Sequence, residues 1–260
     1  MVHAVPDILA RIVQRKRAEL LKSSASRAGL ELRAEQRRDF RDFKSALLAR
    51  QPAILAEIKQ ASPSKGSFTG SFDPASIARL YERGGAAALS VLTDQDFFQG
   101  KIGDLEAARA AVTLPVLRKD FTIDEFHVIE AAAHGADAIL LIAALLDESQ
   151  MRRFRELAAR LGMAALVEVH DDDELDKALA SGAEIVGVNN RNLHTFEVSL
   201  ETSERLAGRI PAGILKISES GIHSSADVRR LGAAGFHAFL VGEHLMKSTD
   251  PAAALRTLQA

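Results

Sequence analysis

Residues 135–143, Gly-Ala-Asp-Ala-Ile-Leu-Leu-Ile-Ala, carry the pattern on which the fold depends. The stretch opens with a glycine, passes through a small and an acidic residue, and continues into an uninterrupted apolar run. A glycine at such a place is typical of a helix end, where the backbone turns left-handed. A short apolar run is typical of a strand that is buried on both faces, as in parallel sheets. The stretch is therefore predicted to be a helix end that leads directly into a buried strand.

The same pattern recurs along the chain. Glycine steps at Gly84-Gly85, Gly182 and Gly235 precede further apolar runs, and Asp73-Pro74 has the form of a helix N-cap followed by proline at the first helical position. Further helix starts are predicted at Asp124, Asp147, Asp171 and Ser224. The predicted strands are Ile54–Lys59, Ala88–Thr93, Val116–Phe121, Ala138–Ala143, Ala165–His170, Ile185–Asn190, Leu215–Ser220 and Ala238–Gly242.

Repeated units of strand, loop, helix and glycine indicate parallel βαβ architecture. Eight such units within about 200 residues predict an α/β fold, a (β/α)8 TIM barrel. An open doubly wound sheet is the alternative. It usually has fewer strands, and the chain lacks the glycine fingerprint of dinucleotide-binding sheets.

The chain of 260 residues has the length of one barrel domain, with residues 53–260 forming the barrel. Residues 1–50 are a predicted helical extension, with helices at about Pro6–Ser23 and Glu35–Ala49, that covers the barrel mouth. This extension carries a net charge of +6, whereas the remainder carries −8. Its basic side chains are expected either to dock on the acidic body or to face an anionic substrate.

Composition excludes several classes of function. The chain has no cysteine, which excludes disulfides, thiolate metal sites and a cysteine nucleophile. Its longest apolar run is far shorter than the roughly 18 residues of a membrane span. The chain contains 5% aromatic residues and no recognised nucleic-acid motif, so nucleic-acid binding is disfavoured. No pair of histidines has metal-ligand spacing. We expect a cytoplasmic protein with no metal.

Charged residues occur where the predicted strands end. In Ala56–Gly66, Ala-Glu-Ile-Lys-Gln-Ala-Ser-Pro-Ser-Lys-Gly, the side chains of Glu57 and Lys59 point to the same face because side chains alternate along a strand. Lys119 and Glu168 end two other strands. The active site of such a barrel lies at the carboxyl ends of its strands, so these groups are predicted to converge there. Closely spaced titratable groups suit acid/base chemistry.

The other strand ends suit an aromatic group and an anion. Phe98, Phe121 and Leu140 would accommodate a flat aromatic group of a substrate. Gly221 and Gly242 place backbone N–H groups near strand ends, and a predicted helix that begins at Glu243 adds its positive end. These features indicate a phosphate site after the last two strands.

Many short segments, in order along almost the whole chain, resemble the indole-3-glycerol phosphate synthase family. The resemblance lies in Ile12–Arg17, Ala56–Gly66, Ser90–Thr93 with Phe98 and Gly100, Leu117–Phe121, Leu166–Val169, Gly187–Leu193, Glu219–Ile222 and Phe239–Met246. The resemblance implies ring closure, decarboxylation and dehydration of 1-(2-carboxyphenylamino)-1-deoxyribulose 5-phosphate to indole-3-glycerol phosphate. This is a cofactor-independent step of tryptophan biosynthesis, here in a monofunctional form.

The resemblance also implies roles for individual residues. Lys119 would be the general acid at the ketone, and Glu168 would stabilise the cationic intermediate and assist dehydration. Glu57 and Lys59 would form a second acid/base pair. The implied catalytic set is Glu57, Lys59, Lys119, Glu168, Asn189 and Ser220; the substrate-binding set is Ser62, Phe98, Phe121, Leu140, Arg191 and Glu219; and the phosphate-binding set is Gly221, Gly242 and Glu243.

Two residues at the predicted phosphate site, Glu243 and His244, are unexpected there. His244 stands where the family commonly has a small residue, and Glu243 beside a phosphate requires a side chain that points away.

Another phosphosugar barrel isomerase and a non-catalytic binding barrel are the alternative functions. The expected partner is a small anionic substrate, with neither nucleic acid nor membrane, and the chain is expected to be a monomer or weak homo-oligomer.

Overall fold

The structure is a computed structural model that describes residues 7–22, 27–62, 66–67 and 72–260. Within these residues the strands are β1 (Ala53–Ile58), β2 (Ala61–Ser62), β3 (Gly66–Ser67), β4 (Ala88–Leu92), β5 (Val116–Lys119), β6 (Ala138–Ile142), β7 (Ala164–Val169), β8 (Ile185–Asn189), β9 (Leu215–Glu219) and β10 (Ala238–Val241). The strands β1 and β4 to β10 form a closed parallel barrel in chain order, in which β10 pairs back onto β1. The predicted (β/α)8 barrel is therefore confirmed.

Helices surround the barrel. They are α1 (Asp7–Lys22), α2 (Arg27–Gln36), α3 (Phe43–Leu48), α4 (Pro74–Arg83), α5 (Gln95–Phe98), α6 (Ile102–Ala111), α7 (Glu125–Ala133), α8 (Glu148–Arg160), α9 (Asp172–Ala180), α10 (Glu201–Ala207), α11 (Ser225–Ala233), α12 (Glu243–Met246) and α13 (Pro251–Leu258). Each predicted N-cap accepts a hydrogen bond from a backbone N–H of the first turn of its helix; these caps are Asp73, Asp124, Asp147, Asp171 and Ser224.

Alternation along the strands separates two apolar cores. The side chains of Ile54 and Ala56 pack outward against the helices, as do those of Ile139 and Leu141. Leu55 faces the barrel axis, together with alternate residues of the other strands. The eight barrel strands were predicted within two residues of their observed ends, because continuous apolar runs mark strands that are buried on both faces.

The first of the two helices expected in the N-terminal extension, about Pro6–Ser23, agrees with α1, whereas the second differs from the structure. The described residues of the extension form three helices, and residues 37–42 between α2 and α3 are not helical. Arg37 leaves the helical path to bind Asp137, which lies about 100 residues further along the chain, while Asp42 caps α3. The predicted continuous helix Glu35–Ala49 was wrong because Arg37 makes its contact with a distant residue.

The three N-terminal helices lie at different places on the barrel. Helix α1 lies over the carboxyl ends of the strands, where Leu9 and Ile12 are buried. Helix α2 packs along the side of the barrel against α7. Helix α3 packs against β1 and β4, and its Lys44 binds Glu184 just before β8. Of these helices, α1 alone lines the mouth of the barrel. Among the described residues, no helix is long and apolar enough to span a membrane.

Candidate active site

A cavity of about 250 Å³ opens at the carboxyl ends of the barrel strands. Every predicted site residue whose side chain the structure describes lines this cavity; the side chain of Ser62 lies outside the described residues. The lining includes Glu57, Lys59, Phe98, Lys119, Phe121, Leu140, Glu168, Asn189, Arg191, Glu219, Ser220, Gly221, Gly242 and Glu243.

The floor of the cavity holds an ammonium between two carboxylates, and we call Lys119, Glu168 and Glu219 the mouth cluster. Nζ of Lys119 donates to Oε2 of Glu168 at 2.9 Å and to Oε2 of Glu219 at 2.7 Å. The three residues end β5, β7 and β9, so they meet only because the sheet closes. Both carboxylates are buried, and Oε1 of Glu219 has no hydrogen-bond partner among the described residues.

The surroundings push the pKa values of these groups apart. Burial opposes the ionisation of Glu168, but Lys119, His170 and a hydrogen bond from Asn189 outweigh it and lower the pKa of Glu168. Burial and the neighbouring charge of Glu168 raise the pKa of Glu219, against the opposing charge of Lys119. Burial acts to lower the pKa of Lys119, but the nearby carboxylates outweigh it and raise that pKa. At neutral pH the cluster therefore holds a protonated lysine and an ionised Glu168.

A second charged pair lies beside the mouth cluster. Nζ of Lys59 lies 2.5 Å from Oε1 of Glu57, as expected for side chains two residues apart that face the cavity. Gly242 was predicted to bind phosphate, and the structure gives it a further role. A Cβ at Gly242 would overlap the carboxylate of Glu57, so only glycine leaves room for that side chain.

Gly187 on β8 likewise leaves room for a carboxylate, that of Glu219, and sequence reasoning missed this role. A Cβ there would overlap Oε1 of Glu219 and would touch Leu166. Gly187 belongs to a segment that resembled the family, but its need to be glycine follows only from the inward direction of Glu219 on the neighbouring strand. The signal was a glycine inside a strand, which often marks the close approach of another group.

The upper wall of the cavity is apolar. The rings of Phe98 and Phe121 lie 6.2 Å apart at a tilt of 37°, and Leu140 faces the axis beneath. Ile8, Leu9 and Ile12 of α1 complete this wall. A flat aromatic group fits such a lining, in which large apolar surfaces surround a few charged groups.

Of the two alternatives for the basic residues of the extension, those of α1 follow the first, because they dock on acidic parts of the barrel and do not face the cavity. The buried Lys16 binds Oδ2 of Asp94 at 3.0 Å and Oδ1 of Asp120 at 2.9 Å. Arg15 pairs with Asp96 of α5. These ion pairs turn the basic face of α1 onto acidic loops of the barrel, so an apolar face of the helix meets the cavity.

The loop after β8 contributes both predicted polar residues. Oδ1 of Asn189 accepts from the backbone N–H of Arg191 at 3.1 Å, and Nη1 of Arg191 donates to the carbonyl of Phe196 at 3.2 Å. The neighbouring Asn190 faces away from the cavity and is buried. Its Nδ2 donates to Oγ of Ser218 at 3.0 Å and to the carbonyl of Ser220 at 3.1 Å, which fixes the end of β9. Sequence reasoning missed this supporting role of Asn190.

The proposed phosphate end lies where β9 and β10 finish. Ser220 and Gly221 both have positive φ, 68° and 78°, so the chain turns sharply there. A non-glycine residue in this conformation costs of order 1–3 kcal/mol and is commonly found at functional sites. The carboxylate of Glu243 pairs with Lys247 at 2.6 Å, which draws its charge along α12. His223 and His244 also border this end, with ring centroids 6.2 Å apart.

Comparisons with known proteins identify the family. The family model described as indole-3-glycerol phosphate synthase matches residues 9–258. Curated proteins of that name are 52% identical over 260 residues in Leptothrix cholodnii, covering 98% of this chain and 99% of the relative. In Desulfotalea psychrophila the identity is 53% over 246 residues, covering 93% and 94% of the two chains.

The chain belongs to the indole-3-glycerol phosphate synthase family. The resemblance in the short segments is thereby confirmed at the level of the family.

Solved structures show the fold that this member of the indole-3-glycerol phosphate synthase family shares with other proteins. A structure titled KGPDC from Streptococcus mutans has a TM-score of 0.61 at 13% identity and covers 80% of this chain and 96% of its own. Thiamine phosphate pyrophosphorylase from Pyrococcus furiosus has a TM-score of 0.61 at 17% identity, covering 82% and 95%. At such identities the likeness concerns the barrel alone.

Proposed function

We propose that this chain carries out the reaction of its family in the cavity at the barrel mouth, with the mouth cluster at the centre of the chemistry. The reaction closes the ring of 1-(2-carboxyphenylamino)-1-deoxyribulose 5-phosphate, releases carbon dioxide and water, and gives indole-3-glycerol phosphate. The observation that carries the proposal is the Lys119 ammonium held between two buried carboxylates of different proton affinity.

Lys119 acts as the general acid in this proposal. Its raised pKa keeps the ammonium protonated, so a proton is available to the ketone oxygen as the ring carbon attacks. Glu168 remains ionised and stabilises the positive charge that develops on the intermediate. Glu219, whose pKa is raised, exchanges a proton more readily near neutrality and assists the later proton transfers. Glu57 and Lys59 form the second acid/base pair.

The remaining predicted residues bind the substrate. Phe98, Phe121 and Leu140 pack against its benzene ring, and Arg191 together with Asn189 orients the carboxylate. The backbone N–H groups around Gly221, Gly242 and Glu243 hold the phosphate. The pairing of Glu243 with Lys247 supports this last assignment because it moves a negative charge away from the anion. Ser62 and Ser220 complete the polar lining.

The direct experiment mixes the purified protein with the anilino-deoxyribulose phosphate in the presence of a chelator and follows indole absorbance and fluorescence. The chain has no tryptophan, so its own fluorescence background is low. We expect an indole signal that is proportional to protein concentration and insensitive to the chelator. A folded sample that gives no indole signal would contradict the proposal, and the substrates of phosphosugar isomerases would then be tested.

The finer expectations on partners and location remain predictions. They are a monomer or weak homo-oligomer without nucleic-acid partner, a cytoplasmic location, and a reaction that needs no cofactor. Sedimentation tests the oligomeric state, and the chelator arm of the assay tests the dependence on metal.

A further inference from the structure

His170 lies directly beyond β7, two residues after Glu168 and on the same face of the strand. About 12% of its side chain is exposed. Glu174, in the first turn of α9, accepts two hydrogen bonds from this one residue through its Oε2. The backbone N–H of His170 donates at 2.8 Å, and the ring nitrogen Nδ1 lies at 2.9 Å. Because a carboxylate can only accept, Nδ1 carries a proton in this contact.

The other ring nitrogen of His170 faces the mouth cluster. Nε2 lies 3.5 Å from Oε1 of Glu168, the oxygen opposite the one bound by Lys119. Nε2 is buried and makes no hydrogen bond in the described part of the chain. In the neutral ring, a lone pair on Nε2 would face a carboxylate oxygen, which is repulsive. The doubly protonated imidazolium turns the same contact into an attraction.

The charged groups around His170 are mostly acidic. Glu168 faces it from β7, Glu174 from α9 and Glu219 from β9, while the cation Lys119 lies on the far side of Glu168. Burial acts to lower the pKa of His170, but the bond to Glu174 and the charges of the three carboxylates outweigh it and raise that pKa. The imidazolium is therefore the favoured form over a wider pH range than for an exposed histidine.

We propose that His170, held by Glu174, is a positioning residue whose imidazolium keeps the ionised carboxylate of Glu168 directed at Lys119. The proposal rests on the proposed function, since Glu168 must take part in the reaction for His170 to matter to turnover. Loss of the imidazolium proton removes a favourable neighbour from Glu168, so turnover follows the protonation of His170. His170 acts through Glu168 in this scheme.

A purely structural role makes a different prediction. The contact between His170 and Glu174 also closes the turn between β7 and α9, and a residue with that role alone would affect stability. Its replacement would then change turnover by the same factor at every pH. A role through Glu168 instead makes the effect depend on pH.

The first test compares kcat for the wild type and His170→Gln between pH 5.5 and 9. We expect kcat of the variant to be about tenfold lower at pH 6, because Glu168 loses the cation that directs its carboxylate and a modest loss of transition-state stabilisation changes the rate by this factor. The two enzymes should converge towards pH 9, where the wild-type imidazole has also lost its proton, and KM should change less than twofold. A ratio that stays constant with pH would overturn the proposal.

Two further variants sharpen the kinetic test. Glu174→Gln weakens the hold on the imidazolium, so kcat should fall at a lower pH than in the wild type. The matched control is His134→Gln, because His134 also pairs with a carboxylate, Glu106, at 2.7 Å but lies outside the cavity. His134→Gln should retain the wild-type profile. A control that changed the profile like His170→Gln would contradict the assignment to Glu168.

The second test is independent of activity and of the folding of His170→Gln. The histidine Cε1 signals are titrated by NMR in the wild type and in Glu168→Gln, and His170 is assigned by its absence in His170→Gln or by its shift in Glu174→Gln. We expect the His170 midpoint to fall by about one pH unit in Glu168→Gln, with His134 unchanged. An unchanged midpoint would refute the contact. A shifted midpoint in a protein that makes no indole would support the contact while the proposed function fails.

Discussion

Two buried charged clusters lie at opposite ends of the same barrel. The mouth cluster of Lys119, Glu168 and Glu219 has two carboxylates for one cation. At the amino ends of the strands, Asp137 receives two guanidinium groups, and we call Arg37, Arg109 and Asp137 the base cluster. Nη2 of Arg37 lies 2.5 Å from Oδ1 of Asp137, and Arg109 donates from Nε at 3.3 Å and from Nη2 at 3.2 Å.

The two clusters differ in how completely their hydrogen bonds are satisfied. Asp137 also accepts from the backbone N–H groups of Val116 at 3.0 Å and of Arg41 at 3.1 Å, so both of its oxygens have partners. In the mouth cluster, Oε1 of Glu219 has no hydrogen-bond partner among the described residues. A buried polar group without a partner costs free energy and is usually explained by function or strain. A buried ionic cluster in which every carboxylate oxygen has a hydrogen-bond partner therefore indicates a structural role. A cluster that leaves such an oxygen without a partner in a cavity indicates a catalytic role.

The largest expected effect is that of Lys119→Ala on turnover. Loss of the general acid should lower kcat by about 10³-fold, because acid catalysis typically contributes 10²–10⁴-fold. The two carboxylates can share a proton in its absence, so the barrel should remain folded by circular dichroism. Lys216→Ala is the matched control. Lys216 also lies on a barrel strand, β9, but its Nζ donates to the carbonyl of Ala207 at the end of α10 and does not line the cavity. Wild-type kcat in Lys119→Ala would contradict the role of the mouth cluster.

The next effect concerns stability and the other end of the barrel. Asp137→Asn should lower the free energy of unfolding by about 3 kcal/mol, because the two arginines lose a buried counter-charge. The kcat per folded molecule should remain near that of the wild type, as measured at low urea with the folded fraction known. Asp39→Asn is the control, because Asp39 binds the same arginines but 65% of its side chain is exposed. The control should lose less than about 1 kcal/mol. Equal losses in the two variants would remove the distinction drawn for the base cluster.

The smallest effect is a pH slope of stability at the mouth. The pKa of Glu219 is raised above its ordinary value of 4.5, so the folded state binds a proton that the unfolded state has released. Stability should therefore fall as the pH rises from about 5 to 6.5, by at most ~1.4 kcal/mol per pH unit. Glu168, whose pKa is lowered, acts in the opposite direction, and its contribution is lost only as the pH falls below about 4.5.

Urea unfolding of Glu219→Gln and of the wild type across this pH range measures that slope. The variant should have a flatter dependence, whereas the exposed control Glu201→Gln should keep the wild-type slope. If Glu219→Gln kept the wild-type slope, the protonation assigned to Glu219 would be wrong.

The parts of the molecule that could be predicted depend on neighbours in sequence. The caps at Asp73 and Asp147 bind N–H groups two or three residues away, and the apolar runs of the strands need no distant partner to be recognised. Lys119 and Glu168 were predicted as site residues because strand ends of a barrel meet at one mouth. The site residues could thus be predicted from the strand positions together with the rule that the carboxyl ends of barrel strands meet at one mouth.

The parts that were wrong or missed depend on distant partners. Residues 37–42 leave the helical path because Asp137 and Arg109 lie across the base of the barrel. Lys16 turns towards Asp94 and Asp120, so the face that α1 presents to the cavity is apolar. The need for glycine at 187 appears only once the carboxylate of Glu219 points at it from the next strand.

The fold class, the strand positions and the residue types at the barrel mouth could be read from the order of residues, because periodicity, caps and alternation act over a few residues. The folded structure is needed to establish which carboxylate is ionised, which has a raised pKa and which charged groups have all their hydrogen-bond partners. These properties depend on distances between strands that the chain joins through intervening helices. Electrostatic energy depends on those distances and on burial, and neither can be obtained from the order of residues.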